Sequence, residues 1–166
     1  MERSQQTHPF PPLYDADSRV LILGSFPSIK SREQRFFYGH PQNRFWQVLS
    51  ALFDEKTPES VEEKKSLALR RHLALWDTIA SCEITGSSDA SITNVIANDL
   101  SPILRAADIR AVFCNGGTSY RWYKKLLQNK LGREAGLLPS TSPANAQWTL
   151  PRLTEAWKQA ILPYLE

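Results

Sequence analysis

The residues of this chain best suited to chemistry crowd into the stretch Phe36–Trp46, which reads Phe-Phe-Tyr-Gly-His-Pro-Gln-Asn-Arg-Phe-Trp. Aromatic rings there offer flat faces, while Asn43 and His40 offer neutral polar atoms. Gly39-His40-Pro41 continues neither a helix nor a central strand, because proline lacks an N–H and restricts the residue before it. A loop built this way can hold a flat, polar ligand. An amide such as Asn43 orients a water by hydrogen bonding without acting as a strong base. Asparagine is equally a preferred helix N-cap, and the helical spacing of Phe45, Trp46, Leu49 and Phe53 gives Asn43 that second reading.

Asp77 is the next candidate, a carboxylate among apolar neighbours in Leu73-Ala-Leu-Trp-Asp-Thr-Ile-Ala-Ser81. Burying such a charge is costly without a partner or a task. Other polar residues carry less. Cys82 and Cys114 lie far apart without the Cys and His companions of a zinc or iron–sulfur site, so they read as small buried hydrophobes. No metal and no cofactor is expected, and no lysine stands out as a Schiff-base nucleophile. The basic segments Lys64, Lys65, Arg70, Arg71 and Lys124, Lys125, Lys130, Arg133 read as solvated helix faces.

These groups must be held by a scaffold, and the composition suits one. At 166 residues, 42% hydrophobic and 22% charged, the chain is long enough for one domain with its own core, and disorder is disfavoured. A net charge of +3 is compatible with a polyanionic partner without demanding one. No apolar run approaches the roughly 20 residues that cross a bilayer, and no basic start precedes an apolar segment, so a cytoplasmic protein without membrane contact is expected.

Residues 1–17 read as an extended, proline-containing arm to which no chemistry is assigned. Arg19–Gly24 is an apolar run ending in glycine, the pattern of a strand buried on both faces of a parallel sheet. Leu73–Ser81, Ile109–Gly117 and the segment from Gly136 supply further strands, and residues 83–94 read as a loop. Helices are expected from Asn43, from Thr57 to His72, from an Asn98-Asp99 cap to about Ala107, around Tyr120–Leu127 and from Leu150 to Leu162. Strands alternating with helices predict an α/β fold, a three-layer sandwich whose central four-stranded parallel sheet is flanked by helices. Open α/β sheets place ligands at the carboxyl ends of their strands, here the loops 24–43, 77–94, 115–118 and 139–146.

Three blocks in those loops carry a resemblance to the uracil-DNA glycosylase superfamily, nearest to its hypoxanthine-DNA glycosylase branch. They are Leu21-Ile-Leu-Gly-Ser-Phe-Pro-Ser28, Phe37-Tyr-Gly-His-Pro-Gln-Asn-Arg-Phe-Trp46 and Leu138-Pro-Ser-Thr-Ser-Pro-Ala-Asn145. The resemblance implies a metal-free, monofunctional enzyme, acting as a monomer on DNA, that hydrolyses the N-glycosidic bond of a deaminated base. Hypoxanthine is the expected base and uracil a further one. A uracil or mismatch glycosylase is the nearest alternative, and a non-catalytic nucleic-acid-binding module is the alternative from another class. One departure bears on mechanism: the first-loop position that commonly carries Asp or Asn to hold the attacking water is Phe26 here. In the hypoxanthine branch, the resemblance gives the polar role to Asn43.

The same resemblance distributes the remaining roles. Gly24, Ser25, Phe26, Tyr38, Asp77 and Asn115 are expected around the base, with Tyr38 as stacking face and Phe37 as another wall. Each ring has core filling as its other reading, and Asp77 has bracing of the following loop. Ser28, Ser142, Pro143, Ala144 and Asn145 are expected against the DNA backbone, with an ordinary Ser/Thr turn as the alternative. Relatives use a bulky apolar wedge where this chain offers Ala144, and His40 is a candidate acid or oxyanion stabiliser whose other reading, beside Pro41, is a structural bond to a backbone carbonyl.

Overall fold

The structure is a computed structural model and describes residues 2–166. In chain order its elements are β1 (Arg3–Thr7), β2 (Val20–Gly24), α1 (Ile29–Gln34), α2 (Phe45–Leu52), α3 (Val61–Arg70), β3 (Leu73–Asp77), β4 (Ile79–Thr85), β5 (Thr93–Ala97), α4 (Ser101–Ala106), β6 (Ala111–Asn115), α5 (Gly117–Leu126), α6 (Gln128–Leu131), β7 (Gly136–Leu138) and α7 (Leu150–Ile161). Among the described residues, the central sheet has four parallel strands in the order β3-β2-β6-β7, flanked by helices. Every residue of β2 and β3 is buried, as befits strands covered on both faces.

The register fixes where the chemistry can be. Gly24 pairs with Asp77, and Leu23 with Cys114, so the carboxyl ends of β2, β3 and β6 form one row. Asn115 pairs with Leu138 and brings the β7 loop to the same edge. On α7, Leu153, Trp157 and Ile161 recur every four residues, and this buried stripe packs on α2, where the Phe45 and Trp157 rings lie 5.7 Å apart. Trp46 and Trp157 do more than fill space. Their indole N–H groups donate to the carbonyls of Phe37 (3.1 Å) and Pro139 (2.9 Å), which ties the first and fourth loops to the core.

Several boundaries differ from the sequence reading. The segment Leu73–Ser81 divides between two sheets: β3 ends at Asp77, and the chain re-enters as β4, which forms an antiparallel sheet in the order β1-β4-β5. Residues 83–94 are therefore only partly loop. Asn98 braces the break, because its amide donates to the carbonyls of Asp77 and Ile79 on either side of it. The 1–17 arm pairs through its backbone with β4 over Arg3–Thr7, and Leu13 bridges to Leu75, covering the open edge of β3. The first loop contains the unexpected short helix α1, capped by Ser28. Helix α4 starts at Ser101, with Asp99 rather than Asn98 accepting the Ser101 N–H.

Cys82 and Cys114 are both buried and unpaired. No helix among the described residues is long and apolar enough to cross a membrane.

Candidate active site

A cleft of about 1070 Å³ opens at the carboxyl ends of the parallel strands. All four loops read from the sequence line it, among them Gly24, Ser25, Phe26, Tyr38, Asn43, Asp77, Asn115 and Ser142. That size slightly exceeds the ~300–1,000 Å³ usual for small-ligand sites.

The floor is set by Gly24. A Cβ at this residue would stand 2.4 Å from Asp77 Oδ1 and 3.0 Å from the Tyr38 hydroxyl, so only glycine leaves space for both groups at the strand end. Asp77 is 4% exposed. Its Oδ2 accepts from His8 Nε2 at 2.6 Å, and the imidazole sits among Phe10, Trp76, Phe26 and Phe37. The arm to which no chemistry was assigned thus delivers the partner that the buried carboxylate required. No periodicity announces His8, which is 69 residues away in sequence.

Tyr38 is held at φ 55°, a left-handed conformation that costs a tyrosine on the order of 1 kcal/mol. Its ring lies parallel to Phe45, with centroids 3.8 Å apart, so one face is backed by the core and the ring becomes a rigid platform. Its buried hydroxyl has no hydrogen-bond partner. Burial first, and then the Asp77 charge, push its ionisation well above the ordinary phenol range. Phe37, at 2% exposed, belongs to the main core, where it meets Phe10, Phe36 and Trp76 edge-on. Core filling is therefore the main work of that ring. Phe26 packs over a second cluster with Ile79, Cys82, Ile84 and Ile92, with the Arg32 guanidinium 5.6 Å above its ring.

Asn43 is not the N-cap residue. Helix α2 begins at Phe45 after Arg44, so Asn43 sits one residue before the cap, yet its Oδ1 accepts the Phe45 N–H at 3.0 Å as a capping side chain does. The same oxygen accepts from Thr141 Oγ1 at 2.8 Å. Asn115 also turns to Thr141: its Oδ1 accepts the Thr141 N–H (3.1 Å) and its Nδ2 donates to Thr141 Oγ1 (3.0 Å). Asn115 thus lines the cleft while both its polar atoms clamp the fourth loop. Gly116 follows at φ 93°, with Ser140 against its α-carbon, so the β6 turn needs a residue without a side chain.

Arg44 completes the docking of that loop, its guanidinium donating to the carbonyls of Ser142, Asn145 and Trp148. The expected backbone-contact residues also serve the loop itself. Ser142 Oγ accepts the Ala144 N–H, and Asn145 Nδ2 donates to the Ser140 carbonyl. Ser142, Ala144 and Asn145 remain on the cleft wall, while Pro143 is exposed beside it. The Ser28 hydroxyl is committed to capping α1. His40 Nδ1 accepts the Gln42 N–H at 3.1 Å, a structural role facing a backbone N–H.

Asp89 also lines the cleft, and the sequence did not single it out, for it lies in a Gly-Ser-Ser-Asp stretch with no periodic signal. Ser25 Oγ donates to its Oδ1 at 3.0 Å. Crowding by protein raises its carboxyl above the ordinary range, with the Ser25 bond opposing. Among the described residues, no group of three or more His, Cys, Asp or Glu is placed to hold a metal ion.

The chain matches the family model described as the uracil DNA glycosylase superfamily over residues 11–166. It is 32% identical over 147 residues to a hypoxanthine DNA glycosylase of Methanosarcina acetivorans, covering 88% of this chain and 92% of the relative. It is also 32% identical over 155 residues to a hypoxanthine DNA glycosylase of Methanosarcina barkeri, covering 92% and 96%. A solution NMR structure of a candidate uracil DNA glycosylase from Methanosarcina acetivorans superposes with a TM-score of 0.78 at 30% identity, over 94% of this chain and 96% of that one.

Proposed function

The chain belongs to the uracil DNA glycosylase superfamily, and from that premise we propose that it is a monofunctional DNA glycosylase releasing hypoxanthine from deaminated DNA. The observation that carries this reading is the meeting of the Asp77 carboxylate, the Tyr38 platform and the Asn43 amide in one cleft at the sheet's carboxyl edge.

Deamination inverts the hydrogen-bonding edge of adenine. Adenine offers an acceptor at N1 and a donor at N6; hypoxanthine offers a donor at N1 and an acceptor at O6. With His8 on Oδ2, Asp77 has Oδ1 left to accept from N1–H, and an ionised carboxylate, having no proton, repels the N1 lone pair of adenine. Sites that hydrogen-bond a substrate group can reject an analogue lacking it by ~10⁴-fold or more. The N3–H of uracil offers the same donor, so uracil is the second substrate to test.

A base inside a duplex cannot reach this depth, so the nucleotide is everted and its base laid in the cleft. Tyr38, stiffened by Phe45, supplies a flat surface, and Ser142, Ala144 and Asn145 stand at the rim where the backbone passes. The C1′–N9 bond then breaks with its electron pair leaving on the base. Water oxygen bonds to C1′, and one water proton ends on the released hypoxanthine. Positive charge grows on the sugar and negative charge on the base, and Asn43 supplies a fixed dipole where that charge develops.

Purified protein is incubated with duplexes carrying deoxyinosine, deoxyuridine or deoxyxanthosine, and abasic sites are revealed by alkali. Excision at deoxyinosine, with loss of about 10²-fold or more in Asn43→Ala at unchanged folding, is the expected result. A folded protein that binds each duplex and cleaves none overturns it.

A further inference from the structure

Two backbone N–H groups settle the orientation of every polar atom around Asn43. A peptide N–H can only donate. The Phe45 N–H therefore identifies the atom it meets at 3.0 Å as the oxygen of Asn43, and the Thr141 N–H likewise identifies the oxygen of Asn115 at 3.1 Å. Asn115 then has only its NH2 to give to Thr141 Oγ1, at 3.0 Å. With that donor received, the Thr141 hydroxyl proton goes to its other neighbour, Asn43 Oδ1, at 2.8 Å. Thr141 is fully buried, and its carbonyl accepts the Arg44 N–H at 3.1 Å, so each polar group of the threonine is engaged in seating this corner of the cleft.

Asn43 Oδ1 is thus occupied twice from within the protein. Its Nδ2 has no protein partner among the described residues and is left to the cleft that Asn43 lines. Turning the amide over would break both bonds and set NH2 against the Phe45 N–H. We infer that Thr141, clamped by Asn115, is a positioning residue that locks the Asn43 amide with its oxygen inward and its NH2 toward the substrate, so that residue 43 serves the reaction as a hydrogen-bond donor. This rests on the glycosylase reading and sharpens it. A donor cannot take a proton from water. It can hold the water oxygen in place or stabilise the negative charge growing on the departing base, and either suits a reaction in which the base leaves before water attacks.

Single-turnover excision of deoxyinosine tests the relay. Thr141→Val, nearly the same shape without the hydroxyl, is expected to slow the chemical step about tenfold, the size of one lost hydrogen bond, with DNA affinity unchanged. Thr141→Ser keeps the hydroxyl and is expected to stay near the wild-type rate. In an Asn43→Ala background, Thr141→Val is expected to add nothing, because the residue it positions is gone. Asn115→Asp provides an independent readout. The ionised carboxylate of that variant only accepts, so the Thr141 hydroxyl turns to it and abandons Asn43. Protonation restores a donor, so the rate of this variant relative to wild type is expected to climb as pH falls through the carboxyl range.

Wild-type speed in a folded Thr141→Val protein overturns the inference, as does an equal loss with and without Asn43. Should Thr141→Val not fold, a pH-independent ratio for Asn115→Asp overturns it instead. A wild type that binds deoxyinosine DNA and excises nothing removes the glycosylase reading itself, and this inference with it. Excision by wild type with an indifferent Thr141→Val removes the inference alone.

Discussion

Replacing His8 by alanine isolates the contact that holds the carboxylate proposed to read the base. The imidazole and the carboxylate are 3% and 6% exposed in their side chains and meet at 2.6 Å, so the contact is shielded from bulk solvent. A hydrogen bond to a charged group contributes ~1.5–3 kcal/mol. Removing the donor leaves a buried carboxylate with part of its hydrogen bonding unmet, a penalty of ~1–3 kcal/mol that is larger for charged groups. Loss of the ring from its nest of Phe10 and Trp76, with centroids 4.5 and 4.4 Å away, adds a packing deficit. Denaturant unfolding of His8→Ala should therefore show a combined loss of ~3 kcal/mol or more. Asp77→Asn makes the cycle informative: with the carboxylate absent, the same histidine substitution should cost at least ~1.5 kcal/mol less. In excision assays, a carboxylate no longer held on Oδ2 should lower the deoxyinosine rate at unchanged folding. Additivity of the two substitutions within ~0.5 kcal/mol, together with an unchanged deoxyinosine rate, would refute both the coupling and its role in recognition.

Gly24→Ala places a methyl 2.4 Å from Asp77 Oδ1, and moving the carboxylate by about 1 Å is expected to cost ~10²-fold in excision rate, checked by single-turnover kinetics beside a thermal melt that confirms folding. Burial pushes the Cys82 and Cys114 thiols up to about 11, so at pH 8 neither is appreciably ionised in the folded protein. A thiol-titrating reagent should accordingly find no fast-reacting cysteine in native protein and both after unfolding in denaturant.

The sequence alone determined the parallel strands and the edge where chemistry gathers. The apolar run Val20–Leu23 and the punctuation at Gly24, Gly116 and Pro139 are local signals, and the three blocks in the loops carried the family. Asp77 was also legible as a carboxylate needing a partner. The identity of that partner was not, because His8 lies in an arm whose pairing with β4 is decided by which edge the folded sheet leaves open. The second sheet was missed for the same reason, since β4 and β5 alternate only weakly and gain their meaning from each other. Asn43 stood out by type, but the direction in which its amide points depends on Thr141, 98 residues away, and on Asn115 behind it. Periodicity and turn chemistry act over a few residues, so a single chain displays them openly. Which atom donates and which accepts in a buried cluster is fixed by backbone groups brought together from distant segments, and only the folded arrangement determines that.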